Sequence, residues 1–165
     1  MTTKALAHRP SVEEALSGYR DLTVGHILKQ IPGKEPRAYL YDVIRHYVQD
    51  GSKGIRPAVC LTTCVALGGS LERALNSAAA VELFHNAALA HDDVEDGSLL
   101  RRGRPTLNAE LGAALALNAG DALNVLAMHC LLANTDGLGG SLAGQVAREF
   151  SRMAMETIEG QAMEG

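Results

Sequence analysis

Four carboxylates (Asp92, Asp93, Glu95, Asp96) crowd into five consecutive positions of the stretch VELFHNAALAHDDVEDGSLLRRGR, and Arg101, Arg102 and Arg104 follow within eight residues. Asp92 and Asp96 stand one helical turn apart, so their oxygens can reach the same metal cluster. Hard oxygen donors with no cysteine beside them suit Mg2+, which takes one or two protein carboxylates and completes its shell with water and substrate phosphate. The adjacent arginines carry planar forks matched to phosphate oxygens, or else simply neutralise the acids. Upstream, GSKGIRP sets Lys53 and Arg56 between Gly51 and Gly54, with Pro57 placed to open a helix at its first position. Glycine backbone, two cations and the unpaired N–H groups of a helix start make an anion site. The order GxxxxGK[ST] is absent, so this is not a Walker A loop. Acidic runs and basic turns are ordinarily solvated surface; the elements that carry these two make them less ordinary.

The helix predicted over Leu71–Asp96 contains no proline or glycine and spans about 26 residues, or roughly 39 Å. With His85 at zero on a 100° wheel, Asp92 lies near about −20°, Asp96 near +20°, Glu82 near +60° and Asp93 near +80°. The polar residues of an apolar helix therefore share one stripe, while Ala80, Ala87 and Ala90 face the other way for close packing. Carboxylates at a helix C-terminus oppose the helix dipole and one another, at a few tenths to ~1 kcal/mol each. A bound divalent cation would reverse that balance.

Of the chain's 165 residues, 47% are hydrophobic and only 4% aromatic, with no Trp, which favours one domain of helices packed through small side chains. The net charge of −4 and a pI near 5.8 argue against a nucleic-acid partner. Cys60, Cys64 and Cys130 form neither a disulfide framework nor a zinc pattern and read as reduced core residues. No uninterrupted apolar stretch is long enough for a membrane span, and MTTKALAHRP lacks a signal-peptide core, so a cytoplasmic location is expected. Further helices are expected at about Ser11–Gln30, with a Ser11/Glu14 capping box, and at Arg37–Gln49, stopped by Asp50-Gly51. Two more are expected at about Asn108–Ala133 and Gln145–Glu164, with Thr135–Gly144 as a glycine-rich loop. Asp121 could bond a neighbouring helix or reach the metal site, the structural role being favoured, and His129 reads as a core histidine.

The elements GSKGIRP, ELFHNAALAHDDVED, RRGRPTLN, NAGD and GQAME, in this order and spacing, resemble the trans-isoprenyl diphosphate synthases, or polyprenyl synthetase family, most closely the bacterial geranylgeranyl type. The resemblance covers nearly everything from Gly51 onward. It implies an all-α antiparallel bundle of the isoprenoid synthase type and a Mg2+-dependent prenyltransferase that joins isopentenyl diphosphate to an allylic diphosphate through a carbocation. Homodimers are usual in that family. By position, it places isopentenyl diphosphate on Lys53, Arg56 and His85, helped by Arg102. Asp92, Asp93 and Asp96 become the first aspartate-rich motif, with Asp92 and Asp96 as metal ligands and Arg101 as the allylic phosphate contact. Gly160, Gln161 and Glu164 match a GQxxD segment, with Glu in place of Asp. Ala88 and Ala87 stand where bulky aromatics stop chain growth in the family, so a product longer than farnesyl, of geranylgeranyl type, is implied, with Phe84 a candidate lower floor. The departure is a second aspartate-rich motif, which does not occur in these 165 residues. The bundle is thus incomplete, and the expectation is the N-terminal portion of a longer domain.

Two other readings compete. An HD-type metal phosphohydrolase is prompted by His85, His91-Asp92 and Asp121, but leaves Lys53, Arg56 and the RRG turn unused and puts His91 off the Asp92 stripe. A non-catalytic helical subunit of a synthase would not need the Asp92/Asp93/Asp96 set.

Overall fold

The computed structural model describes residues 11–49 and 52–164. The expected Asp50-Gly51 helix stop, the Gly51 backbone and the MTTKALAHRP segment lie outside them. In chain order come α1 (Val12–Gln30), a π-helical turn (Arg37–Tyr41) running into α2 (Asp42–Gln49), α3 (Ile55–Ala66) and α4 (Leu71–Glu95). A two-stranded hairpin, β1 (Leu100–Arg101) and β2 (Arg104–Pro105), leads to α5 (Leu107–Leu111), α6 (Ala113–Leu138) and α7 (Gly140–Glu164). The all-α reading holds, and the Ser11/Glu14 capping box is present on both sides.

The main packing is α4 on α6. Asn134 Nδ2 donates to Ser77 Oγ at 3.1 Å, and His91 Nε2 lies 3.4 Å from Asp121 Oδ1. Residue numbers rise on one helix as they fall on the other, so the two run antiparallel. Alanine lets the axes approach: Ala79, Ala80, Ala87 and Ala90 on α4 and Ala116, Ala119 and Ala127 on α6 are all buried. Gly120 goes further, because a Cβ there would stand 2.4 Å from His91 Nε2. Among the described helices, α6 is long and apolar enough to cross a bilayer, with a mean hydropathy of 1.4 over its best window. Its inner face, including Leu123 and Leu131, forms the core against α4.

Several expected boundaries move. Pro57 is the third residue of α3 rather than the first, because Gly54 takes a left-handed φ of 66° as the N-cap. The expected helix from Asn108 divides at Gly112, whose φ of 81° caps α5 and begins α6. The expected glycine-rich loop shrinks to Gly139 at φ 77°, with α6 and α7 absorbing its flanks, since the paired helices pack on each other and outweigh glycine's poor propensity. His129 is exposed rather than in the core.

Candidate active site

Lys53 and Arg56 flank the N-terminal turn of α3, His85 sits mid-way along α4, and Arg102 tops the hairpin. The structure brings all four around one cavity of about 70 Å3, together with Ser52, Gly54, Ile55 and Glu82. Ser52 Oγ accepts the Gly54 N–H at 2.9 Å, tying down the turn before α3. Gly54 is required twice over: its φ is left-handed, and a Cβ would meet Arg20 Cβ at 2.6 Å. Arg102 is the one non-glycine residue with positive φ, 55°, among the described residues. With Gly103 at φ 78° it makes the two-residue turn that pairs Arg101 with Arg104. A left-handed arginine costs about 1–2 kcal/mol, and strain of this kind collects at functional sites.

His85 is held neutral. Its pKa falls from 6.5 to about 4, first because burial disfavours the imidazolium, then because Arg56, Arg102 and Arg101 repel it. Arg56 Nη1 lies 3.0 Å from His85 Nε2. A guanidinium can only donate, so Nε2 accepts and the ring proton sits on Nδ1. The cavity thus offers Lys53, Arg56 and Arg102 as cations and an imidazole that adds no charge. Buried Glu82 lies in its wall and accepts from Asn86 Nδ2 at 3.4 Å.

Two turns further along α4 stands the acidic end. Asp93 is 1% exposed, and its Oδ1 accepts from Arg101 Nε at 2.8 Å. It therefore faces the hairpin, to one side of Asp92 and Asp96. Burial raises the Asp92 carboxyl, and Glu95, Asp96 and Asp93 push the same way against Arg101. Crowded carboxylates that raise one another's affinity for protons would also attract a cation, so the donor set suits Mg2+ held by Asp92 and Asp96. Among the described residues no three His, Cys, Asp or Glu side chains gather as a metal site, so two carboxylates are what this stretch offers. On α7, Gln161 Nε2 reaches Glu95 Oε2 at 3.4 Å, bringing the GQAME segment beside this acidic end; Glu164 is exposed. Ala87 is buried, Ala88 half-buried, and Phe84 meets Phe150 of α7 edge to face at 5.6 Å.

His91, the anchor of the phosphohydrolase reading, packs on Gly120 of α6 beside Asp121 and does not line the cation cavity. Asp121 thus takes the structural role. Sequence reasoning missed Ser52, a part of the cavity wall that carries no distinctive spacing.

The polyprenyl synthetase family profile matches residues 37–165. A geranylgeranyl diphosphate synthase of Cyanophora paradoxa is 39% identical over 125 residues, covering 74% of this chain and 41% of that protein. The solved geranylgeranyl pyrophosphate synthetase of the archaeon Geoglobus acetivorans superposes with a TM-score of 0.81 at 32% identity, over 91% of this chain and 48% of that one. A polyprenyl synthetase structure from Streptomyces coelicolor A3(2) gives a TM-score of 0.78 at 32% identity, over 92% of this chain and 46% of that one. The chain therefore spans less than half the length of these relatives. Matched in sequence over three quarters of its residues and in fold over nine tenths, the chain belongs to the polyprenyl synthetase family.

Proposed function

We propose that the chain supplies the isopentenyl-diphosphate site and the first metal-holding wall of a trans-prenyltransferase, one that condenses isopentenyl diphosphate with an allylic diphosphate into a longer prenyl diphosphate. The observation that carries this reading is the meeting of Lys53, Arg56, His85 and Arg102 at one small cavity on the helix that ends in Asp92 and Asp96. From His85 to Asp92 is seven residues, or about 10 Å along the axis, so two diphosphates can lie side by side on one rigid element.

The cation cavity holds the first diphosphate by charge-assisted hydrogen bonds, and the neutral His85 donates from Nδ1 without competing for the anion's protons. Asp92 and Asp96 would hold Mg2+, which neutralises the allylic diphosphate as it leaves. Arg101 adds a fixed positive group at the same end. Leu83, Phe84, Ala87 and Ala88, on the stretch of α4 between the two diphosphate positions, carry no nucleophile that could trap a carbocation. Ala87 and Ala88 stand where bulky aromatics stop chain growth in the family, so the product is read as geranylgeranyl diphosphate, longer than farnesyl. The same reading carries a cytoplasmic homodimer. The outer face of α6 supports the dimer, since Leu117, Val125, Met128 and Leu132 are exposed within an arc of about 80°. The site reading is tested by calorimetric titration with isopentenyl diphosphate. Binding should weaken by about tenfold to a hundredfold in Arg56→Ala, as expected for a lost charge-assisted bond; absence of any binding by the unaltered chain would overturn it.

A further inference from the structure

A second cavity, of about 510 Å3, shares Arg102 with the first. It lies between α2, α4, the hairpin and α5, and its lining includes Tyr47, Asn86, Leu89, Asp93 and Arg101. Two buried polar atoms of these residues have no hydrogen-bond partner among the described residues, the Tyr47 hydroxyl and Asp93 Oδ2. One can donate and the other only accepts, and native proteins seldom leave such a pair unmet. Both residues line this one cavity, and a buried water is the ordinary partner for atoms of this kind. The other oxygen of Asp93 is already taken by Arg101 Nε at 2.8 Å. That pairing uses Nε alone, so both Nη groups at the forked end of Arg101 are without a partner among the described residues.

We propose that Tyr47 is a positioning residue: across one water its hydroxyl holds Asp93 Oδ2, which orients the carboxylate so that Oδ1 fixes Arg101 with its Nη fork presented to a diphosphate. This rests on the reading of Arg101 as a diphosphate contact. The phenol remains a donor throughout the physiological range, because burial, and then the charge of Asp93, push its pKa up to about 12. The torsion of a terminal carboxylate is broad, so a carboxylate gripped at one oxygen alone swings, and the arginine swings with it. Gripping both oxygens removes that freedom before the ligand arrives, which is how supporting hydrogen bonds improve binding without touching the ligand.

Tyr47→Phe deletes the hydroxyl and keeps the ring that packs on the core. In the full chain, hydrogen exchange of the Arg101 Nε–H, followed by NMR, should speed up by about fivefold, the value of one ordinary hydrogen bond. Affinity for inorganic diphosphate with Mg2+ should fall by a similar factor, while affinity for isopentenyl diphosphate at the Lys53 and Arg56 cavity stays unchanged. Unaltered Nε–H exchange in Tyr47→Phe would overturn the proposal. A double-mutant cycle with Asp93→Asn, read by the same exchange rate, guards against a general loss of stability. Coupling of about fivefold supports the proposal, and additive effects overturn it. If the unaltered chain binds no diphosphate with Mg2+, the prenyltransferase reading fails, yet the exchange rates still decide the role of Tyr47.

Discussion

The two ends of the candidate site, one at His85 in the middle of α4 and the other at the C-terminus of the same helix, solve opposite electrostatic problems. Around His85 the cations come from three separate elements, α3, the hairpin and the turn before α3, and the helix contributes a residue held neutral among them. At Asp92 and Asp96 the helix contributes the charge itself, at the end where its dipole disfavours carboxylates. The first end is therefore a pocket assembled by tertiary structure and ready for an anion. The second stores unfavourable charge that only a cation can relieve, apart from Asp93, which Arg101 already neutralises. Binding at the first end should thus survive metal removal, and binding at the second should not.

Arg56→Ala probes that difference with the largest expected effect, about 2 kcal/mol or more of isopentenyl diphosphate affinity, with Mg2+-dependent diphosphate binding retained in calorimetry. Gly54→Ala comes next. Its Cβ would stand 2.6 Å from Arg20 Cβ and 3.0 Å from Arg20 Cα at a left-handed φ. It should lower stability by about 1–3 kcal/mol in denaturant titration and loosen the cation cavity selectively. Asp92→Asn should act with opposite signs on stability and function. Removing one of several crowded charges from a helix C-terminus raises the melting temperature, by a few tenths to about 1 kcal/mol of stability, while Mg2+-dependent diphosphate binding is lost. A fall in both would mean that the acidic end is not strained in the absence of metal.

The smallest effect is a pH dependence. His85 has a folded pKa of about 4, below its ordinary 6.5. Between those values the unfolded chain takes up a proton that the folded chain refuses, so His85 contributes stability above pH 6.5 that is lost as pH falls towards 4. His85→Asn should flatten that part of the stability profile in thermal melts across this range.

Much of this contrast is legible in the sequence because α4 is long, unbroken and regular. Counting at 100° per residue already puts His85, Asp92 and Asp96 on one stripe, and the alanines on the face that α6 covers. Local signals with a single meaning also survive, such as the Ser11/Glu14 capping box. Glycine is where sequence reasoning fails, because its effect depends on what packs nearby. The cluster after Thr135 reads as a loop, yet α6 and α7 run through it to leave only Gly139 between them. Gly54 becomes an N-cap and moves Pro57 to the third position of α3, and Gly120 is set by the His91 ring it accommodates. Tyr47 and Asp93 are 46 residues apart, and nothing in the order of residues shows that they border one cavity.

The most direct test of the account is calorimetric titration of the chain with isopentenyl diphosphate, in Mg2+ and again in excess chelator. Comparable affinity is expected in both, weakened about tenfold to a hundredfold in Arg56→Ala and kept in Asp92→Asn. Binding that vanishes with chelator and ignores Arg56→Ala would contradict it.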